Sequence, residues 1–470
     1  MTGWIAVLVV LGLHAATGLG VVAALGLARS PRELVRLAGL APLTGIASAG
    51  VIGATLAAAG PRFGLAGLVA LAALACAVGG GRLALASSPI PPLPRRPHTR
   101  IGLAATVTSL AAIAVVVAFA LAGFRDKPLA EYDGWAIWGM KARALATLGS
   151  ADQAVFAADA YERLHLEYPL LVPTLHALPL QAAEGFESNT VLLSALAIAF
   201  VGLLAIWAIL REVVQPPLLL AFVAAIACAP AFLLQLQTGY ADVPLAVLVA
   251  AGLAAAGRWL VRNEGPWLAL ATLFFAAAAL TKNEGLLFAA SALVPLLVVA
   301  RGRRRTAAVA LVAVAVAYVP WRLYMLVHDL EAPDYDLSSS FDLPFVAGRL
   351  DRVPVAGEQL LRDGLEPRQL GLLLVLGLVS VLVALVAGRR DLGVLAGGFA
   401  LLSFTGLTWI YVLTPYDVTF FLSTNSSRVV VSPVLALAAL SPLLVAESSH
   451  ALEGERADAG RRHPPLASSR

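Results

Sequence analysis

Apolar residues run along this chain in blocks of about 15 to 25, mostly Ala, Leu and Val, separated by short polar punctuation. Blocks of that length cross a hydrocarbon core of about 30 Å as helices, and lipid offers no partner for the unpaired backbone of an open strand. The pattern predicts an all-α, polytopic bundle of about thirteen spans: 4–27, 37–59, 63–86, 102–124, 190–210, 217–236, 242–260, 266–280, 285–300, 307–326, 369–387, 392–412 and 429–446. Two polar stretches interrupt it, 125–189 and 327–368. The first carries Tyr132, Trp135, Trp138, Tyr161 and Tyr168, which suit helices lying at a membrane interface. Tyr168-Pro169-Leu170-Leu171-Val172-Pro173 is expected to break any helix there. The second, with Asp334, Asp336 and Ser338 to Ser340, reads as a flexible lid, an acceptor-side loop or a plain connector.

Composition agrees with the pattern. The chain is 60% hydrophobic and 13% charged over 470 residues, a balance that excludes a water-soluble globular domain of this length. The first apolar block has no basic segment before it and no clear cleavage site, so it reads as a retained span. Cys76 and Cys228 each sit inside an apolar block and read as packing residues.

Charge then assigns sides. Arg29, Arg32 and Arg36, then Arg95, Arg96 and Arg100, then Arg211, Arg258 and Arg262, Arg301 with Arg303 to Arg305, and Arg389 with Arg390 fall on one face if the spans alternate. The tail arginines Arg456, Arg461 and Arg462 fall there too. Lys and Arg concentrate in cytoplasmic loops, so that face is expected to be the cytoplasm, with the C-terminus there. Scattered in this way, the net charge of +4 sets topology and does not build a nucleic-acid stripe. The organisation expected is three N-terminal spans of unknown role in 1–101, a membrane domain over 102–446 and a disordered cytoplasmic tail over 447–470.

The opposite face receives the polar residues with chemistry. Glu131 and Asp133 stand two apart beside Gly134 and serve as a general base, as hard-cation ligands or as a solvated acidic loop. On a regular helix they would point about 200° apart, so convergence needs a local departure that Gly134 permits. Asp242 follows Tyr240 at the start of a span and precedes Pro244, as a site residue or an ordinary N-cap. Lys282 and Glu284 join two apolar blocks, as an ion pair or a phosphate cation beside its carboxylate. Arg428 follows a hydroxyl-rich turn, while Lys141, Arg322 and His328 complete the cationic side. His165 and His176 lack the spacing of a zinc site. Together these describe a cavity with carboxylates on one side and cations on the other, suited to group transfer from a lipid phosphate. No ATP motif is present, so the energy must come with the donor.

The ordered set Glu131-Tyr132-Asp133, Gly239-Tyr240-Ala241-Asp242-Val243-Pro244-Leu245, Leu280-Thr281-Lys282-Asn283-Glu284-Gly285 and Tyr411-Val412-Leu413-Thr414-Pro415 leading to Ser423-Thr424 and Arg428 resembles the GT-C superfamily of integral membrane glycosyltransferases. That group uses polyprenyl-phosphate sugars and includes protein O-mannosyltransferases and lipid A aminoarabinose transferases. The resemblance covers about 102–446. It implies an inner-membrane enzyme with an extracytoplasmic site, moving a sugar to a glycan, lipid or protein acceptor with inversion. It implies Asp133 as the catalytic acid-base position with Glu131 its partner and Asp242 the second acidic position. Lys282, Arg428 and Lys141 would face the donor phosphate, supported by Tyr240, Glu284, Arg322 and His328. A divalent cation, Mg or Mn, at Glu131, Asp133 and Asp242 is a variable feature among such enzymes. Three spans precede the acidic loop here where the family pattern usually has one. Two rival readings stay open: a polymerase or ligase of lipid-linked glycans, and a transporter or flippase.

Overall fold

Every regular element is helical among the residues described by the structure, a computed structural model, which are 1–86, 99–124, 128–158, 161, 164–183, 188–332, 334–335 and 337–462. Arg95, Arg96 and Asp336 lie outside the described residues, as do the side chains of Arg456, Arg461 and Arg462. A helix occupies each of the thirteen apolar blocks. Among the described residues nine are long and apolar enough to cross a membrane, by length and composition. Four others, Pro216–Ala227, Gly265–Ala279, Asn283–Val299 and Leu373–Val386, have 12 to 17 residues. At 1.5 Å per residue such helices reach only about 18 to 26 Å. One block is shortened at a proline: Ala229, preceding Pro230, is extended and splits 217–236 into Pro216–Ala227 and Pro230–Gln235.

The Asp242–Arg262 helix is the axis of the bundle, buried along its whole apolar length. It packs against the helices Ser188–Leu210, Gly265–Ala279 and Val431–Arg462. Apolar attraction cannot draw helices together in hydrocarbon, so close contact falls to small residues, here the Ala and Gly of its second half. The same device operates at the N-terminus. A Cβ on Gly18 would lie 1.7 Å from the Ala41 carbonyl oxygen, and one on Gly45 would lie 1.7 Å from that of His14. The helices Gly3–Ala24 and Ala41–Ala59 therefore cross backbone to backbone. Ala41–Ala59 in turn packs on Leu171–Ala182, Gly265–Ala279 and Arg304–Val327, so the first spans share the common core.

Three sequence expectations change. Leu171–Ala182 is a buried helix that begins where Pro169 and Pro173 were expected to prevent one. Pro173 sits in its first turn, where a missing N–H costs nothing. Within 327–368, the part 337–365 is built of short helices, Leu337–Phe341, Leu343–Ala347 and Arg352–Leu365, where a flexible lid, an acceptor-side loop or a disordered connector was expected. The last helix runs through 447 to Arg462 where a disordered tail was expected from 447, and Glu447 is buried against Arg389; residues 463–470 lie outside the described residues. Of the aromatic residues assigned to the interface, Tyr132 and Trp135 are exposed, whereas Trp138 is fully buried.

The charged ends of the axis helix are distinct. Arg258, near its C-terminus, pairs with Glu212 and lies 3.8 Å over the Trp267 ring. Asp242 opens the other end, about 24 Å away along the axis.

Candidate active site

Asp242 is reached through a tight turn in which Gly239 has φ +71°, a conformation that favours glycine. The N-cap of the helix is Ala241, and no side chain caps it. The N-cap reading of Asp242 is thereby corrected: its carboxylate is turned from the backbone onto two cations. Oδ1 lies 3.1 Å from Lys282 Nζ and Oδ2 lies 3.1 Å from Arg428 Nη2. Arg428 Nη1 continues to Asp133 Oδ2 at 2.8 Å, and Lys282 Nζ to Glu284 Oε1 at 3.0 Å. The result is a chain of alternating charge, Asp133–Arg428–Asp242–Lys282–Glu284, drawn from four separate stretches of sequence.

Each member is held by its element. Lys282 is the extended residue between the helices Gly265–Ala279 and Asn283–Val299. Arg428 closes the helix Val418–Val429, with its guanidinium carbon 4.0 Å over the Tyr240 ring. Asp133 begins a π-helical turn, Asp133–Gly139, and Glu131 precedes it. Exposure of the side chains falls from 25% at Asp133 to 3% at Asp242, so the chain has one open end and a buried middle. Three carboxylates and two cations leave it one negative charge.

Gly134 docks the acidic turn. A Cβ there would lie 2.0 Å from the Thr238 carbonyl oxygen, a backbone atom that cannot yield. Gly134→Ala is expected to lift Asp133 off Arg428 while the spans still insert, so that the melting temperature of the purified protein becomes insensitive to a further Asp133→Asn change.

The residues expected to act with these divide. Glu131 is exposed and stands outside the chain of ion pairs, while its charge, like that of Asp133, acts on Tyr240. Arg322 is exposed, and His328 lies over the Tyr324 ring at 4.4 Å, so neither joins the charge chain. Lys141 is corrected as a phosphate ligand. It is fully buried, donates to the backbone carbonyls of His165 and Tyr168, and lies 5.9 and 5.8 Å from the Trp138 and Tyr168 rings. Burial pulls its pKa down to about 7 against the opposing charge of Glu167. The triad Glu131, Asp133 and Asp242 does not fit a divalent cation. The Arg428 guanidinium stands between Asp133 and Asp242, both Asp242 oxygens are occupied by cations, and no group of three His, Cys, Asp or Glu converges among the described residues.

A second cluster adjoins the first. His165, held at φ +52°, bonds through Nδ1 to Glu167 Oε1 at 3.0 Å, with Asp334 Oδ2 at 3.9 Å. Tyr168 is stacked between Trp138 and His165, with ring centroids 5.5 and 4.9 Å away. Lys282 Nζ lies 5.9 Å from the same Tyr168 ring, so this residue joins the two clusters. The sequence singles out His165 and Asp334 separately, without bringing them or Glu167 together. Their only local signal was a carboxylate two residues from a histidine; Asp334 arrives from a separate loop.

Burial opposes the charged form of His165, but the hydrogen bond to Glu167 and the charges of Glu167 and Asp334 outweigh it, against Lys141, and raise its pKa. A raised histidine contributes stability that is complete below its ordinary value of about 6.5 and is lost as pH rises through the folded value. The melting temperature of His165→Gln relative to wild type should therefore be lowest at acidic pH and approach it at alkaline pH. A constant difference across that window would show that the pair is not charged.

Compared with known proteins, the chain matches no family model, and no curated protein or solved structure proves similar to it.

Proposed function

We propose that this chain is an integral membrane glycosyltransferase that moves a sugar from a polyprenyl phosphate to an acceptor hydroxyl on the extracytoplasmic face. The observation that carries this reading is the charge chain itself, with a half-buried carboxylate at its open end and two cations fixed behind it. Asp133 uses one oxygen on Arg428 and keeps the other for an acceptor proton. Lys282 has three N–H donors and spends two on carboxylates; Arg428 has five and spends two. The remaining donors suit a leaving phosphate.

In the proposed step Asp133 takes the proton of the acceptor hydroxyl, whose oxygen forms the new bond to the anomeric carbon. The bond from that carbon to the donor phosphate oxygen breaks, and the electron pair leaves with the polyprenyl phosphate. Arg428 and Lys282 stabilise the charge that develops there. Asp242 orients both cations and touches no reacting atom. A transporter is commonly built of repeated halves around its site, and no repeat is evident in this sequence. Under this reading the four short helices complete about thirteen crossings, the arginine-rich ends face the cytoplasm and the site faces outward in the inner membrane.

Mass spectrometry of envelope glycans and lipid-linked sugars in a deletion strain tests it. A missing glycan with an accumulated polyprenyl-phosphate sugar is the expected result. Unchanged glycans and lipid-linked sugars would overturn the reading, and accumulation of a lipid-linked oligosaccharide would redirect it to a ligase.

A further inference from the structure

We propose that residues 337–365 form an interfacial element whose partner is the lipid surface, seated in the headgroup layer beside the charge chain. The stretch is polar enough to read as a loop, yet Phe341 and Leu343 are 89% and 76% exposed, and Leu337 and Leu350 are also exposed.

The helix Arg352–Leu365 gives the exposure a direction. At about 100° per residue, Ala356, Leu360, Asp363 and Gly364 share one arc, and all are buried against the protein. Pro354, Leu361 and Leu365 fall together on the next arc, apolar and exposed. Glu358 and Arg362 follow on a third arc, exposed and paired with each other at 2.6 Å. Val355 is the one apolar residue on that polar side. Protein, apolar and polar sectors in succession are the arrangement of a helix lying in an interface plane. In water the middle sector would be an exposed apolar patch with nothing to cover it.

Two hydrogen bonds set the depth. Trp409 Nε1 donates to Ser340 Oγ at 3.1 Å, and Arg352 Nη1 donates to the Thr414 carbonyl at 2.8 Å. Trp409 and Thr414 mark the last turn and C-cap of the spanning helix Arg390–Leu413, so the element sits level with the end of a span. The preceding spanning helix, Arg304–Val327, likewise exposes Leu323, Leu326 and Val327 toward its end. The side is that of the site. Ser426 Oγ donates to Asp363 Oδ2 at 2.6 Å, two residues before Arg428 on the same helix. Gln359 Nε2 holds the other Asp363 oxygen at 3.0 Å. A lipid seat for this helix thus steadies the segment that presents Arg428. The inference stands apart from the sugar-transfer reading, since it concerns where the chain meets lipid.

Cys76→Ala and Cys228→Ala give a cysteine-free background. Phe341→Cys, Leu361→Cys, Leu365→Cys, Glu358→Cys and Arg362→Cys are then made singly and labelled with an environment-sensitive fluorophore. The proteins are reconstituted in phosphatidylcholine–phosphatidylglycerol vesicles carrying a spin label at the headgroup or at mid-chain. All five positions are exposed, so labelling leaves the packing intact, and elution as wild type in gel filtration checks this. Labels at 341, 361 and 365 should be quenched by the headgroup spin label and be several-fold less sensitive to aqueous iodide than labels at 358 and 362. Equal iodide access at all five positions would overturn the proposal. So would shielding of 341, 361 and 365 from both iodide and lipid spin labels, or stronger quenching from mid-chain than from the headgroup.

Discussion

Asp133→Asn should lower the proposed sugar transfer by about 10²–10⁴-fold, the usual contribution of a positioned general base, while leaving insertion and thermal stability close to wild type. The substitution preserves shape and keeps an oxygen for the Arg428 hydrogen bond, but it removes the basic lone pair that would take the acceptor proton. Asp133 is a quarter exposed and stands at the open end of the chain, so neutralising it leaves no stranded charge in a dry interior. Arg428 remains held by Asp242 and by the Tyr240 ring. The measurement is envelope glycan and lipid-linked donor in the deletion strain carrying the variant, beside the melting temperature of the purified protein. Full restoration of the glycan by Asp133→Asn would remove this residue from the chemistry.

Asp242→Asn is expected to fail differently, losing both activity and stability. The carboxylate is 3% exposed and is shared by Lys282 and Arg428 across 40 and 186 residues of sequence. Removing one partner of a buried ion pair typically costs about 3–5 kcal/mol, because the other charge is left without compensation. Glu284 and Asp133 remain as partners, so the loss should lie toward the lower end. A fall in melting temperature alongside the loss of transfer, set against the stable Asp133→Asn, would separate the positioning carboxylate from the catalytic one. If Asp242→Asn were as stable as wild type, the chain of charge would not be a structural unit.

Much of the architecture is legible in the chain because burial in lipid has one solution for the backbone. Each of the thirteen apolar blocks holds helix among the described residues, one of them split in two, and the residues chosen as Asp133, Asp242, Lys282, Glu284 and Arg428 come together. Lys141 was chosen by the same logic and lies elsewhere, since a lysine beside two tryptophans reads alike whether its ammonium points to a cavity or to two backbone carbonyls. Pro173 read as a breaker because position within a helix decides its effect, and the first turn of Leu171–Ala182 is defined only by packing on its neighbours. Asp334 and Asp363 carried no local signal. Their partners, His165 and Ser426, lie 169 and 63 residues away.

Sequence by itself determined that this chain is helical, apolar and punctuated by short polar segments, because those properties follow from composition and period alone. It also determined which polar residues stand at helix ends. Tertiary structure decided which of them meet. A carboxylate becomes a base, a clamp or a metal ligand according to the charge that lies within about 4 Å of it. For Asp133 and Asp242 that distance was set by the crossing of helices remote in sequence, and in lipid the crossing depends on the fit of small residues more than on any periodic pattern.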